Sequence, residues 1–132
     1  MHLKIITHEK VVFDSDVDEI YTKTVDGEIG ILKNHVPIIT ALDIGVTKTV
    51  TNNQTYIFTT MGGILQFQDN ECLILTPTAE NGDEIDKVRA EEALKRAKAR
   101  LADADASLDA KRAEAAIARA MVRLKATMNN SQ

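Results

Sequence analysis

The chain has 132 residues and a mass of 14.5 kDa, which is enough for one domain or for a small domain with an appendage. It carries no apolar run near the roughly 18 residues that a membrane span requires, and its N-terminus lacks the basic stretch and long apolar core of a secretory signal. Cys72 is the only cysteine, so an internal disulfide is excluded and a reducing compartment is favoured.

Charge is distributed unevenly along the chain, whose overall net charge is −4. Residues 1–84 hold 5 lysines, no arginine and 13 acidic residues, for a net charge of −8. Residues 85–132 hold 5 lysines, all 6 arginines and 7 acidic residues, for a net charge of +4, together with 14 of the 16 alanines. The sequence therefore predicts two physically different modules that meet near residue 84.

The first module alternates between short β-rich runs and the turn residues Gly, Asn, Asp and Pro, which predicts strands rather than helices. About nine runs fit this pattern: HLKIIT, KVVFDS, EIYTKT, GEIGIL, VPIITAL, GVTKTVT, TYIFTT, ILQFQ and CLILTP. The pairs Asn52-Asn53 and Asp69-Asn70 are expected to turn two hairpins, because Asn and Asp tolerate positive φ. Gly62-Gly63 is expected to permit a backbone bend or a close approach of strands. This pattern predicts an antiparallel sandwich or a flattened barrel.

The same module offers little chemistry. His2, His8 and His35 have no metal-ligand spacing and no cysteine partner, so we expect no metal site. Cys72 lies in an apolar run without a basic neighbour and is expected to be a buried thiol. No phosphate-binding glycine loop, nucleophile elbow or acid/base pair is present, so the sequence does not indicate an enzyme.

The stretch GEIGILKNHVPII, residues 27–39, is less ordinary. Two glycines bracket a short strand, and Asn34, His35 and Pro37 follow in a loop between apolar runs. A tight turn with a rigid exit explains these residues by chemistry alone. The alternative is an exposed loop that docks a partner protein.

The second module has a helical period. Its apolar residues are spaced four and three apart, which predicts two helices that pack antiparallel along a narrow seam. The seam is formed by Ala90, Leu94, Ala97, Leu101, Ala104 and Leu108 on the first helix, and by Ala113, Ile117, Ala120 and Leu124 on the second. Asp83 is expected to cap the first helix, and the DADASLD segment is expected to supply the turn and the second cap. Because each alanine methyl contributes on the order of 0.8 kcal/mol or less, closure of this hairpin is expected to be nearly balanced.

The segment IDKVRA opens the first helix and has two interpretations. Asp86 is favoured in a first turn by the helix dipole, and Arg89 is then a solvated residue. However, Arg96 follows Arg89 on the same helical face, and Arg119 and Arg123 share a face of the second helix. Arginines that converge repel one another unless an anion lies between them, and their guanidinium groups match phosphate oxygens. The anion is either a phosphate-bearing ligand or an acidic protein surface.

These motifs together resemble the epsilon subunit of the F-type ATP synthase over nearly all 132 residues. The stretch GEIGILKNHVPII is similar to the family's G-x-L-G-I-L-x-x-H-x-P, Gly62-Gly63 to its paired glycines, and the helical tail to its C-terminal domain. Lys33 departs from the Pro that many members carry, which changes loop stiffness. The resemblance implies an α+β fold in which an N-terminal antiparallel β-sandwich of about ten strands precedes a C-terminal two-helix antiparallel hairpin. It also implies a β-sandwich domain over residues 1–84 and a regulatory hairpin over residues 85–132.

The resemblance further implies that the hairpin binds ATP as a regulatory ligand rather than a substrate, through the motif I-D-x-x-R-A. The implied ATP-binding residues are Glu80, Ile85, Asp86, Arg89, Ala90, Arg96, Arg119 and Arg123. The arginines would hold the phosphates, and Glu80, Ile85 and Asp86 would lie around the adenosine. With ATP bound, the hairpin would stay folded. Without ATP, the helices would extend toward the catalytic head and restrain hydrolysis.

The partners that the resemblance implies are the gamma subunit, the c-ring and the catalytic alpha/beta head, with the subunit peripheral to a bacterial plasma membrane on its cytoplasmic face, or to a plastid thylakoid on its stromal side. Asn34, His35 and Pro37 would face the base of the stalk, and Arg112 and Lys125 would meet acidic side chains of the catalytic beta subunit. A nucleic-acid-binding module is disfavoured, because the hairpin has a modest charge and no aromatic residues for stacking. A chaperone-like adaptor is a further alternative, and would bind unfolded clients regardless of ATP.

Overall fold

The computed structural model describes residues 1–104 and 107–128. Eight strands come first, followed by a 3-10 turn and two helices. The strands are β1 (His2–Ile6), β2 (Val11–Asp16), β3 (Glu19–Thr24), β4 (Gly27–Leu32), β5 (Ile38–Thr51), β6 (Gln54–Gln68), β7 (Glu71–Leu75) and β8 (Ala79–Asn81). The 3-10 turn spans Gly82–Glu84, and the helices are α1 (Lys87–Ala102) and α2 (Ser107–Met128).

The strands form a sheet that folds over on itself. Their order is β2-β1-β7-β6-β5-β3-β4, and β8 also pairs with β6. The edge strand β2 nevertheless packs against the central strand β6, because the ring of Phe13 lies 5.7 Å from that of Tyr56 and 5.3 Å from that of Phe58. The predicted α+β fold with a β-sandwich is therefore confirmed. Among the described pairs, β1 and β7 are parallel and the others are antiparallel.

The strand count differs from the prediction because two strands are long. The runs VPIITAL and GVTKTVT belong mostly to the single strand β5, and TYIFTT and ILQFQ belong to β6. These strands pass continuously through the positions where the sequence indicated breaks, since both keep pairing with each other from Ile38↔Phe67 to Thr51↔Gln54. The short strand β8 was not predicted, and it forms by pairing with Phe58–Thr60 of β6.

The glycine pair Gly62-Gly63 and the turn residues behave as the sequence indicated. Gly62 and Gly63 have φ values of +84° and +110°, and a Cβ atom on Gly63 would lie 2.0 Å from the carbonyl oxygen of Leu75. Strand β7 therefore approaches β6 too closely for any other residue. The hairpin turns at Asn52-Asn53 and Asp69-Asn70 also have positive φ, between 44° and 70°.

The sandwich has one apolar core with a buried row of threonines beside it. The core residues come from most of the strands: Leu3, Ile5, Val17, Ile20, Ile31, Leu42, Phe58, Leu65, Phe67, Cys72, Ile74 and Ala79. The hydroxyl groups of Thr22 and Thr47 are 2.7 Å apart, and those of Thr47 and Thr60 are 3.0 Å apart. These hydrogen bonds satisfy polar groups that would otherwise be costly to bury.

The helices meet over small side chains, as predicted. Ala90 and Ala97 of α1 and Ala113, Ala120 and Ala126 of α2 are buried, and Leu94, Leu101, Ile117 and Leu124 are half-buried. Leu108 is 58% exposed, so the seam does not extend to it. Residues 105 and 106 of the predicted turn lie outside the described residues.

Helix α1 begins later than expected. Its N-cap is Asp86, whose carboxylate accepts a hydrogen bond from the backbone N–H of Arg89 at 3.1 Å. The predicted cap, Asp83, instead lies within the 3-10 turn, which Asn81 caps by accepting from the N–H of Asp83 at 2.9 Å. The prediction was wrong because a separate short turn precedes the helix. None of the helices that the structure describes is both long enough and apolar enough to cross a membrane.

Candidate functional site

Most of the predicted nucleotide residues line one cavity at the start of α1, which we call the near cavity. Its volume is about 590 Å³. Its wall is formed by strand β8, by the segment just before α1, and by both helices. The predicted residues that line it are Glu80, Ile85, Asp86, Arg89, Ala90, Arg96 and Arg123. The tertiary structure thus gathers residues that are up to 43 positions apart in the chain.

Asp86 both caps the helix and lines the cavity. Its carboxylate caps α1 through the N–H of Arg89, and the residue also lines the cavity wall. Because Asp86 precedes the first helical residue, its side chain lies at the end where the helix dipole favours negative charge. The acid and the arginine of IDKVRA are therefore a helix start, and both also face the candidate site.

Arg123 forms an ion pair that the sequence did not indicate. Its Nε donates to Oε1 of Glu80 at 2.7 Å, which joins α2 to β8. Glu80 is held in place from the other side, since its backbone N–H donates to Oγ1 of Thr59 at 3.1 Å. Both side chains were predicted to contact a ligand, but no sequence signal showed that they would contact each other.

Arg119 lies apart from the near cavity. It lines a second cavity, which we call the far cavity, nearer the end of the hairpin where α1 leads into α2. The far cavity has a volume of about 780 Å³, and the other charged residues that line it, within the described part of the chain, are Arg100, Arg112, Asp103 and Asp109. Arg119 precedes Arg123 by one helical turn, about 6 Å along α2, and this offset places the two arginines in successive cavities. Arg112, predicted to contact the catalytic subunit, is exposed and lines the far cavity.

The predicted partner loop is held firmly in place. Asn34 has a φ of 65°, its N–H donates to Oδ1 of Asn70 at 2.8 Å, and its Oδ1 accepts from Nδ2 of Asn70 at 3.0 Å. The ring of His35 stands edge-on to Phe67 at 5.8 Å, and its Nδ1 lies 2.7 Å from the carbonyl oxygen of Val36. Pro37 is exposed. The loop is therefore fixed to the turn between β6 and β7.

Three large apolar side chains, in this loop and in the strands that flank it, are open to solvent. Leu32 is 51% exposed, Val36 is 70% exposed and Ile39 is 72% exposed. We call these three residues the apolar patch. The sequence did not indicate this patch, because period-two alternation in a strand does not show which face is covered.

Lys125, the other predicted partner residue, lies near the end of α2. It is exposed and lines a cavity of about 350 Å³ between α2 and the sheet, where Ile29, Val46 and Ile57 form an apolar floor. The described residues contain no cluster of His, Cys, Asp and Glu that could hold a metal ion. Burial raises the pKa of the Cys72 thiol to about 12, so this group stays protonated at neutral pH.

Comparison with known proteins identifies the family. Residues 1–82 match the family model described as the beta-sandwich domain of the ATP synthase delta/epsilon chain, and residues 83–128 match its long alpha-helix domain. The chloroplastic ATP synthase epsilon chain of Gossypium barbadense is 39% identical over 126 residues, which cover 96% of this chain and 95% of that one.

Two solved structures share the fold. A chain of the Euglena gracilis mitochondrial ATP synthase, solved as OSCP, F1 and c-ring, aligns with a TM-score of 0.81 at 20% identity, covering 98% of this chain and 79% of that one. A chain of the Tetrahymena thermophila mitochondrial ATP synthase, solved as central stalk and c-ring, aligns with a TM-score of 0.68 at 22% identity, covering 96% and 95%. The relatives are named as epsilon chains and not as the catalytic subunit. From its matched domains and from the identity of its relatives over nearly their whole length, this chain belongs to the ATP synthase delta/epsilon chain family.

Proposed function

We propose that this chain is the epsilon subunit of an F-type ATP synthase, and that it works in the central stalk between the catalytic head and the c-ring. Its family membership supports this role. The structures that share its fold were solved in complexes with F1 and a c-ring or with a central stalk and c-ring. In this role the chain is a peripheral subunit, on the cytoplasmic side of a bacterial membrane or the stromal side of a thylakoid.

The apolar patch supports a docking function for the partner loop. Exposed apolar side chains that cluster beside a rigid loop are typical of a protein interface. The hydrogen bonds between Asn34 and Asn70 keep the loop in one conformation, which lowers the entropy lost on binding. The sandwich is proposed to meet the gamma subunit and the c-ring at this end.

The near cavity supports a second element of the proposal, regulation by ATP. This cavity is the observation that carries it, because α1 and α2 together bring three arginines to one space beside β8. A ligand in the cavity would contact α1, α2 and the sandwich at once. It would therefore stabilise the hairpin in its folded position relative to any extended form.

A bound ligand can stabilise the closed hairpin by enough free energy to decide a nearly balanced equilibrium. The helices pack over alanines, which remove little apolar area from water on closure. A ligand at 100 times its dissociation constant stabilises the state that binds it by about 2.7 kcal/mol. That is enough to shift a nearly balanced equilibrium toward the folded hairpin.

When ATP is scarce, the helices are proposed to separate from the sandwich and extend toward the catalytic head. Arg112, Arg119, Arg123 and Lys125 would then meet acidic side chains of the catalytic beta subunit and stall rotation. The effect is a brake on wasteful hydrolysis that is released by ATP.

Calorimetry on the isolated chain tests the nucleotide site. Arg89→Gln is expected to weaken ATP binding about tenfold or more, because a hydrogen bond to a charged group is worth about 1.5–3 kcal/mol. Lys98→Gln is the matched control, since Lys98 is exposed on α1 and lines neither cavity. Equal weakening by both substitutions would reject the near cavity as the site.

ATPase assays on the assembled complex test the brake. Removing residues 85–132 is expected to raise hydrolysis at low ATP and to change it little at high ATP, while the shortened chain still copurifies with the gamma subunit. Hydrolysis that is insensitive to the deletion at every ATP concentration would contradict the regulatory role and leave the stalk role intact.

A further inference from the structure

All six arginines of the chain line two cavities that follow one another along the hairpin. Arg89, Arg96 and Arg123 lie in the near cavity, and Arg100, Arg112 and Arg119 lie in the far cavity. The two cavities follow each other along the helices, because Arg96 precedes Arg100, and Arg119 precedes Arg123, by one helical turn each. These two cavities, which we together call the arginine groove, extend well beyond the predicted nucleotide site.

The charge balance differs between the two cavities. The near cavity has three arginines and four acidic residues, Glu80, Glu84, Asp86 and Glu92, and its Arg123 is already paired with Glu80. Among the described residues, the far cavity has three arginines and two acidic residues, Asp103 and Asp109. Within residues 1–104 and 107–128, none of the far-cavity arginines forms an ion pair within 4.0 Å. The far cavity is therefore the better place for added negative charge.

The size and lining of the far cavity suit a slender ligand. Its floor consists of alanines, so none of the described residues puts a bulky apolar side chain into the space of about 780 Å³ between the helices. Arg89 and Arg100 are eleven residues apart, which is about 16 Å along α1 at 1.5 Å per residue. This row of arginines is longer than the three linked phosphates of one ATP.

We propose that the far cavity is a second anion site, and that the arginine groove binds linear inorganic polyphosphate. Guanidinium groups hold phosphate oxygens through paired hydrogen bonds, and a linear chain of phosphates presents such oxygens along its whole length. Arg100, Arg112 and Arg119 would bind one part of the chain, and the near-cavity arginines the other. The proposal does not require that ATP bind to the near cavity.

Because the polyphosphate would contact both helices near the connection between them, it would favour the closed hairpin. The physical reason is the same as for any ligand that binds one conformation in preference to another. A long polyanion would thus hold the hairpin closed at the end away from the sandwich.

Titration calorimetry of the full-length chain with long-chain inorganic polyphosphate, at fixed salt, tests the proposal. Arg100→Gln/Arg112→Gln is expected to weaken binding about tenfold or more, since two charge-assisted contacts are lost. The matched control is Lys95→Gln/Lys98→Gln, which removes the same charge from exposed positions of α1 outside both cavities. Equal weakening in the two double variants would show general attraction to the hairpin and overturn the site.

Two further measurements test the guanidinium geometry and the selectivity for phosphate. Arg100→Lys/Arg112→Lys keeps the charge but removes the planar fork, so an affinity between wild type and the glutamine variant is expected, and helical circular dichroism verifies that each variant folds. A polyglutamate peptide of matched charge that displaces polyphosphate equally well would overturn phosphate selectivity in favour of an acidic protein ligand. Arg89→Gln removes one contact of the near cavity, so it is expected to weaken polyphosphate binding less than Arg100→Gln/Arg112→Gln does, even if ATP binding is lost. An equal or larger loss of polyphosphate affinity in Arg89→Gln would overturn the far cavity as the main anion site.

Discussion

Single residues decide how the hairpin is attached and how the sheet edge is held. Glu80 and Arg123 join β8 to α2 through a 2.7 Å hydrogen bond, with side chains 36% and 31% exposed. At the sheet edge, His2 of β1 lies between two acids of β2, with its Nδ1 2.8 Å from Oδ1 of Asp16 and its Nε2 hydrogen-bonded to Asp14. Neither arrangement follows from local sequence, because each depends on the register of two separate elements.

Glu80→Gln is expected to loosen the hairpin by a modest amount. The ion pair is partly solvated, so its loss should cost at most about 1 kcal/mol. Urea unfolding followed by the helical signal measures the change. Glu84→Gln is the control, because Glu84 is exposed in the same cavity and has no hydrogen bond or ion pair within the described parts of the chain. A change of the same size in both variants would show that the pair contributes nothing specific.

The His2 cluster is expected to make stability depend on pH. The hydrogen bonds to Asp16 and then to Asp14 raise the pKa of His2 above its ordinary 6.5. Because the pKa of His2 is raised in the folded state, the stabilisation from its hydrogen bonds is fully present below pH 6.5 and is lost as the pH rises through this raised pKa. The hydrogen bond from His2 also lowers the pKa of Asp16 below 3.8, so the stabilisation from this pair is lost in acid as well, as the pH falls through that lowered pKa. Between pH 5 and pH 9, the melting temperature should fall less steeply in His2→Gln than in the wild-type chain. Parallel curves of melting temperature against pH would contradict this contribution of His2.

Elements take their shape from a few backbone positions. The bend in β6 depends on Gly63, where the backbone of β7 occupies the space that a side chain would need. The start of α1 depends on Asp86, which replaces a missing backbone partner. Both positions were recognisable in the sequence as features, but their partners, Leu75 and the N–H of Arg89, were not.

Gly63→Ala is expected to destabilise the sandwich by several kcal/mol. The new Cβ would lie 2.0 Å from a carbonyl oxygen, and the positive φ adds strain. Gly27→Ala supplies the comparison, because Gly27 has a φ of +123° and nothing within 4 Å of an added Cβ. It should cost only about 1–3 kcal/mol of strain. Equal unfolding free energies in urea would exclude the close approach as the cause.

Substitutions of Asp86 distinguish its function as the helix cap from its function in the candidate site. Asp86→Asn retains a capping oxygen and should keep the helical signal, whereas Asp86→Ala should cost about 0.5–2 kcal/mol of helix stability. Circular dichroism measures the cap, and calorimetry with ATP measures the site. A loss of ATP affinity in Asp86→Asn without a loss of helix would assign the charge of Asp86 to the site.

At the scale of the whole molecule, the sandwich and the hairpin differ in how much each depends on the other for its packing. The apolar core lies entirely within residues 3–79, whereas the hairpin packs over alanines and rests on β5 and β6 through α2. Helix α1 makes its main contacts with α2. The hairpin therefore depends on the sandwich more than the sandwich depends on the hairpin.

A chain shortened after residue 84 is expected to keep its fold, since it loses no member of the apolar core. Its melting temperature should fall by only a few degrees, because only the surface covered by α2 becomes exposed. Scanning calorimetry against the full-length chain measures this. Collapse of the cooperative transition would show that α2 is part of the core.

The set of candidate site residues was implied by the family resemblance. The sequence by itself determined the two-module organisation, the β-rich first module, the helical hairpin, and the turns at Asn52-Asn53 and Asp69-Asn70. Those features depend on composition, on local period and on turn residues that tolerate positive φ, all of which are local properties. The tertiary structure alone decided that β5 and β6 run unbroken, that Glu80 pairs with Arg123, and that Arg119 lies in the far cavity with Arg100 and Arg112. These outcomes depend on strand register and on how two helices are offset along their common axis, and no local pattern encodes such long-range placement.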